Sequence, residues 1–580
     1  MKKGKRRPEK KPAPVAAPPR GLQPWHVLAA GLGALFLLYA VYEPALRGAF
    51  LFDDVYLPFF GQKWEYLHLR HWMGGVRPLL MLSFWLNFRL SEQQPYSYHL
   101  LNLLMHLVTG GMCILIVRRL LERAGVSGFR REAIAAFSGL LFLLHPVQTE
   151  SVAYVAGRSE ALSVMFFLGA LAVFLCRRRE AVSWPVGFLV LALFACAFTT
   201  KEHTAVLPLL LLLTDYYWNP GFSFQGIRKN WRLYALFVVG GAVAFRMAWR
   251  VLRTADTAGF SYKEVTWYQY FLTQCRAIWY YVRLFLAPYG QNVDPDFAIT
   301  RTLFDPGALI GLLALVAAAV AAFYYRRRYP LASYGYFTFL LLLAPTSSFI
   351  PIADPVAERR LYLPFIGLLL IVAEFLRRWK ASRAALTGAL AGVLAVAAWL
   401  TYSRNQVWGS GEALWLDTVA KSPRKSRPHF QLGFVYYSQG RCGLALSEFE
   451  TAARYAAPDY RLLIDWAAAY GCLGNPEQAL AKLRQAAALR QTAQVYSMIG
   501  LVQSKQGRRR EALEALATAA ALEPRFDATY VYRGDLYAQA GEWEAAAADY
   551  RRALSIDPEN QAAQQGLALA QLRLGGGRQP

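Results

Sequence analysis

The chain has 580 residues, of which 56% are hydrophobic, 14% aromatic and only 17% charged. That is too apolar for one water-soluble globule and points to a polytopic membrane protein with something attached. A net charge of +25 would suggest nucleic acid in a soluble protein; here the basic residues fall in short clusters between apolar runs, the pattern that orients membrane helices, and no nucleic-acid partner is expected.

Residues 1–22, with eight Lys or Arg among the first twenty, read as a disordered cytoplasmic tail. No small-residue cleavage site separates it from the first apolar run, so an uncleaved signal anchor is expected. Just past that run, Asp53 and Asp54 stand between Phe52 and Val55. Carboxylates beside apolar walls are costly unless a cation or donor meets them, which makes the pair a candidate for proton or metal chemistry. A turn or a helix cap is the alternative.

Apolar runs of spanning character lie near 25–42, 99–117, 133–145, 160–176, 184–199, 203–218, 231–251, 307–325, 329–344, 361–376 and 384–402, eleven in all. Basic clusters occupy every second connection: the tail, Arg118 to Arg131, Arg177 to Arg179, Arg228 to Arg232, Arg326 to Arg328, and Arg377 to Arg383. They mark one face as cytoplasmic. Tyr268 to Leu286 carries Gln269, Gln274, Arg276 and Arg283 among its aromatics, which is expensive in hydrocarbon and natural for a helix lying along the interface, so it is not counted as a span. The outer face then receives loop 43–98, His145 to Glu150, Thr200 to His203, loop 253–306, Pro345 to Arg360 and everything beyond about 403. A transporter would show two matching halves with paired broken helices, and no such symmetry is found.

From Arg427 the chain becomes Ala-rich and helical. Gly440, Gly474, Gly507 and Gly541 are 34, 33 and 34 residues apart, and Ala445, Ala479, Ala512 and Ala546 keep those offsets. With Gly433, Gly500 and Gly534, and with Pro458, Pro524 and Pro558, the period predicts four tetratricopeptide repeats and a capping helix near 560–573. Stacked hairpins of this kind leave a concave groove for a polypeptide; a spacer or an oligomerisation arm is the alternative. The six cysteines show no CxxC or zinc spacing. Cys442 and Cys472 flank turns of adjacent repeats and are placed to pair if the array lies outside the cytoplasm.

Jointly the outer loops offer carboxylates (Asp53, Asp54, Glu150, Glu202, Glu358), cations (Arg158, Lys201, Arg359, Arg360) and ring groups (His99, His106, His145, His203, Tyr362). Cations at a membrane surface suit a lipid-borne phosphate, and a carboxylate across from them suits deprotonation of a hydroxyl. The series Phe52-Asp53-Asp54, Tyr98-His99 to His106, His145 to Glu150, Gly157-Arg158-Ser159-Glu160, Lys201-Glu202 and Glu358-Arg359-Arg360-Leu361-Tyr362 resembles, in order and over nearly the whole chain, the transmembrane and tetratricopeptide-repeat-containing O-mannosyltransferases of the C-type glycosyltransferase superfamily. The repeat array is shorter than in animal members.

The resemblance implies an all-α membrane enzyme that moves a sugar, mannose in that family, from a polyprenyl-phosphate carrier to Ser or Thr of an extracytoplasmic protein. It gives the role of base in an inverting displacement to Asp53 or Asp54, Asp53 foremost because it comes first in the motif. Asp54 would position the acceptor or hold a divalent ion, with metal dependence left open. Arg158, Lys201, Arg359 and Arg360 are the phosphate candidates, Arg359 foremost, with His145, Glu150, Glu202 and Tyr362 around the sugar or phosphate. The expected domains are the tail 1–22, a catalytic membrane domain 23–405, a linker 406–426 and the repeats 427–573. The expected site is a bacterial inner membrane with the repeats outside, an endoplasmic-reticulum membrane being the alternative. Two other readings stand beside this one: transfer to a lipid or polysaccharide acceptor, and a non-catalytic scaffold.

Overall fold

A computed structural model describes residues 24–60, 68–177, 179–254, 259 and 262–575. The expected tail, 1–22, lies outside the described residues. Their regular elements are all helices, with no β-strand among the described residues. Every one of the eleven apolar runs falls on a helix, from Pro24–Leu46 through Pro95–Arg123, Arg158–Cys176 and Trp231–Thr254 to Phe365–Arg378 and Arg383–Val407. Three are long and apolar enough to cross a membrane, namely Pro95–Arg123, Arg158–Cys176 and Arg383–Val407. Gly31–Leu46, Trp184–Thr200, Ala308–Tyr324 and Pro330–Leu343 are apolar but shorter.

Local sequence sets many of the boundaries. Pro78, Pro95, Pro330 and Pro476 each open a helix, where a missing N–H costs nothing and the fixed φ is already helical. Trp267–Leu286 begins in a reciprocal cap, Thr266 accepting from Gln269 N–H while the Gln269 side chain accepts from Thr266 N–H. Its two arginines turn to the following segment, Arg276 onto Ala298 O and Thr300 and Arg283 onto Tyr289 O.

The basic clusters converge at one end. Arg118 pairs with Glu132, Arg130 donates to Arg377 O, and Arg377 meets the fully buried Glu374. Arg177 pairs at 2.8 Å with buried Asp215, which also accepts from Asn219, Asn230 and Tyr234. Each charge is therefore surrounded by donors or an opposite charge, as a desolvated pair requires.

Beyond Val407 the expected linker holds a helix of its own, Gly411–Lys421, whose Leu414 and Trp415 are buried against the first repeat. Four antiparallel hairpins follow: Ser426–Ser438 with Cys442–Tyr455, Tyr460–Cys472 with Pro476–Leu489, Ala493–Lys505 with Arg509–Leu522, and Asp527–Gln539 with Trp543–Ile556. The closing helix is Gln561–Gly575. Gly440, Gly474, Gly507 and Gly541 sit at φ of 72° to 74° in the inter-helix turns, where a Cβ would be strained. Gly433 and Gly500 lie against Phe449 and Leu516 of the partner helix, closer than a Cβ allows. The Cys442–Cys472 disulfide is present, with Cα atoms 6.3 Å apart.

Candidate functional site

At the end opposite the basic clusters, loops distant in sequence meet. The turn Phe52–Tyr56 carries the carboxylate pair, and its first residue, Phe52, has φ of 55°, a left-handed backbone that a bulky residue rarely adopts. Phe52 is held there by Trp415 at 5.6 Å and Tyr154 at 6.2 Å between ring centroids, with the Arg427 guanidinium over its face at 5.5 Å. Within this 3-10 turn the two aspartates point to different surroundings. Asp54 is buried: one oxygen accepts from Leu51 N–H at 2.9 Å and the other from Ala156 N–H at 2.7 Å. It ties its own turn to the turn preceding Arg158. Burial lifts its carboxyl to about 7, against the pull of those two donors. Asp53 is exposed, and its backbone N–H donates to the Tyr154 hydroxyl at 2.9 Å.

Asp53 lines a cleft of about 990 Å³ between this first loop and the solenoid. Phe50, Phe52 and Tyr56 form one wall; Phe430, Phe434, Tyr460, Arg461 and Asp465 of the first two repeats form the other. Arg461 spans the two walls, donating to the Tyr56 hydroxyl at 2.9 Å. The solenoid is anchored by Arg427, which donates to Asp294 at 2.7 Å and to Asp354 at 2.8 Å, and by Ser422, which donates to Asp294 O at 3.0 Å.

Arg359 is not among the residues that line this cleft. Its backbone N–H donates to Glu150 at 2.9 Å, and its guanidinium pairs with the other oxygen of that carboxylate. Glu150 is buried, whereas the Arg359 side chain is 23% exposed. Burial opposes the guanidinium charge, but Glu150 outweighs it and holds the group above its ordinary range. Tyr154 links the two halves, since its hydroxyl feels the charges of Asp53 and Asp54 on one side and of Arg359 on the other. Further along, Lys201 meets Glu160 at 2.5 Å and Ser159 at 3.2 Å, and Arg77 grips Glu202 through two parallel bonds of 2.9 Å. Arg359 lies within electrostatic reach of Arg77, Lys201 and the Glu160 carboxylate, so these cations and this carboxylate form one neighbourhood.

Several expected ligand-facing residues turn inward instead. Arg158 is fully buried, and its guanidinium is consumed by Asn102, Ser83 O, Asn87 and Tyr98 O between the rings of Phe84 and Tyr98. Arg360 donates to Asp354 O, Pro355 O, Thr346 O and the Tyr270 hydroxyl, stapling loop 345–357. His145 caps its own turn, donating from Nε2 to Phe285 O at 3.0 Å and accepting from Val147 N–H at Nδ1. The Tyr362 hydroxyl is buried on His106 Nδ1 at 2.8 Å. Glu358 is buried and accepts from Gln291 and from Asn292 N–H. Arg77 and Tyr154 carry no motif signal of their own, although Tyr154 sits between two of the quoted motifs. Both oxygens of Asp54 are used by backbone donors, and among the described residues no three His, Cys, Asp or Glu side chains gather. The residues at Asp54 do not fit a resident metal ion.

An apolar helical chain that brings acidic and basic loops together beneath a tetratricopeptide solenoid is the class defined here. The family model described as TPR repeat matches residues 534–575. Among curated proteins the chain is 25% identical over 507 residues to Protein O-mannosyl-transferase TMTC1 of Homo sapiens, covering 75% of this chain and 55% of that one. It is 25% identical over 574 residues to Protein O-mannosyl-transferase TMTC3 of Mus musculus, covering 86% and 59%. The expected resemblance is thus borne out, and the chain spans a little over half the length of these relatives. Among solved structures, YrrB, a TPR protein with an unusual peptide-binding site, is 21% identical over 30% of this chain and 88% of its own, with a TM-score of 0.24.

Proposed function

We propose that the protein is an integral membrane glycosyltransferase of the C-type class that moves mannose from a polyprenyl-phosphate carrier to Ser or Thr of a polypeptide outside the cytoplasm. The membrane domain is 23–405, with eleven spans and with Trp267–Leu286 along the outer interface; the segment 406–426 joins it to the solenoid 427–573. The membrane is a bacterial inner membrane, with cleft and solenoid on the periplasmic side.

What carries this reading is the position of Asp53, the exposed carboxylate in a cleft whose far wall is the repeat array. The acceptor lies along the repeats and presents its hydroxyl to Asp53. As the hydroxyl oxygen bonds to the anomeric carbon, its proton passes to the Asp53 carboxylate and the bond from that carbon to the phosphate oxygen breaks, inverting the centre. Polyprenyl phosphate leaves with one more negative charge than it had in the diester. Arg359, held by Glu150 yet part exposed, and Lys201 beside it stabilise that charge. The relatives named as protein O-mannosyl-transferases support a protein acceptor over a lipid or polysaccharide one.

The test is reconstitution in proteoliposomes with polyprenyl-phosphate mannose and peptides from the native envelope, followed by mass spectrometry of the peptides. Mannosylated Ser or Thr, lost in D53N, is the expected result. Sugar appearing only on lipid, or full transfer by D53N, would overturn the reading.

A further inference from the structure

The wall of the cleft contributed by the second repeat carries one carboxylate with nothing to balance it. Asp465 lies on the helix Tyr460–Cys472 and faces the same cleft as Asp53. It is half-buried, and among the described residues no donor reaches it. The two cations that line the cleft are engaged elsewhere. Arg461 donates to the hydroxyls of Tyr56 and Tyr460, and Arg427 is clamped between Asp294 and Asp354. The charge that does act on Asp465 is another carboxylate, Asp459, whose own oxygen is occupied in capping the helix by accepting from Leu462 N–H at 2.9 Å. Burial, with Asp459 adding to it, lifts the Asp465 carboxyl to about 7. A part-desolvated carboxylate without donor or counter-ion is costly unless a ligand supplies one.

The surroundings suit a long cationic side chain. Tyr56, Phe434 and Tyr460 line the cleft and would cover the methylene stem of a lysine or the plane of an arginine, leaving its head free for the carboxylate. We propose that Asp465 forms a subsite for a Lys or Arg side chain of the acceptor polypeptide, in the same cleft as Asp53, so that the enzyme selects hydroxyls with a basic residue near them in the chain. The inference rests on reading the cleft as the acceptor site, and it adds the chemistry by which an acceptor is chosen there. A neutral or acidic segment would leave Asp465 uncompensated, so discrimination comes from that penalty as much as from the ion pair.

The full chain in lipid nanodiscs, without sugar donor, is titrated with short fluorescein-labelled peptides that contain one Thr and one Lys, the Lys being walked along the sequence, against the same peptides with Gln in place of Lys. Anisotropy should show about tenfold tighter binding for Lys at one or two registers, falling in high salt. In D465N the ratio of Lys to Gln affinities at those registers should fall to about one, and in D465K the preference should reverse toward Glu. A Lys preference that survives D465N, or no register at which Lys helps, would overturn the inference. A parallel measurement with polyprenyl-phosphate mannose separates the two readings: a Lys preference in binding with no sugar transfer leaves the subsite standing and removes the enzyme, while transfer with no Lys preference does the opposite.

Discussion

Asp53 and Asp54 are adjacent in the chain and face opposite surroundings, Asp53 open to a cleft and Asp54 buried with both oxygens on backbone N–H groups. Both sit in the single 3-10 turn Phe52–Tyr56, where three residues make a turn and neighbouring side chains point in different directions. The pair therefore consists of one group open to the cleft and one that fixes the turn in place.

Their variants should differ in kind. D53N should leave the thermal midpoint unchanged while turnover falls by about 10²–10⁴-fold, the usual worth of a positioned base. D54N loses an acceptor for Ala156 N–H and leaves a buried donor unpaired, so it should destabilise the protein by roughly 1–3 kcal/mol. Thermal unfolding and transfer assays on both variants check this; the opposite pattern would move the base to Asp54.

Arg359 should govern the donor. Lysine cannot reproduce a planar fork that serves Glu150 and a phosphate together, so R359K should raise the KM for polyprenyl-phosphate mannose about 10–100-fold with little change in the KM for peptide. E150Q should act in the same direction by releasing the guanidinium. An R359K enzyme with a normal donor KM would leave Lys201 as the phosphate group.

Glu358 should make stability depend on pH. Burial raises its carboxyl to about 7, above the ordinary value near 4. Between those values the folded protein keeps a proton that the unfolded chain has released, so stability falls as pH rises through that window. E358Q, which cannot titrate but gives up one of the two oxygens that accept from Gln291 and Asn292 N–H, should show a shallower loss between pH 5 and 7. Asp54 shifts in the same direction and accounts for the slope that remains. Melting curves across that range decide the matter.

The disulfide should stabilise the first two repeats. It closes a loop of 30 residues, and its removal in C442S should cost about 2–4 kcal/mol, chiefly by freeing the unfolded chain. Under denaturing, non-reducing conditions an alkylating reagent should label Cys113, Cys176, Cys196 and Cys275 and spare Cys442 and Cys472. Labelling of all six would show that the repeats reside in a reducing compartment.

The helices were legible because their signals are periodic and local: apolar runs long enough to be unmistakable, prolines at first turns, glycines at a fixed spacing. The loops were legible only in part. Arg359 pairs with Glu150 and lies within electrostatic reach of Lys201, whereas Asp53 touches that group only through Tyr154. Arg158, Arg360, His145 and Tyr362 have the same polar chemistry but spend it on backbone carbonyls and neighbouring side chains. Whether a polar group in a loop faces a ligand or a buried carbonyl is set by tertiary packing, which residue type does not encode. Arg77 was missed for the converse reason: its partner Glu202 lies 125 positions away, and nothing near Arg77 announces the pairing. The stretch 406–426 lies between the last apolar run and the first repeat, yet Leu414, Trp415 and Thr418 share one face of a helix and are buried together.

The clamp of Arg427 on Asp294 and Asp354 bears on when in a protein's life the modification can happen. It fixes the first repeat against the segments that carry Asp294 and Asp354, and the Arg461 bond to Tyr56 joins the two walls of the cleft. A cleft of about 990 Å³ has room for a short extended segment and not for a finished globular domain. The enzyme would then work on chains still being threaded or on slack tails, and its marks would record which segments lingered unfolded near the membrane.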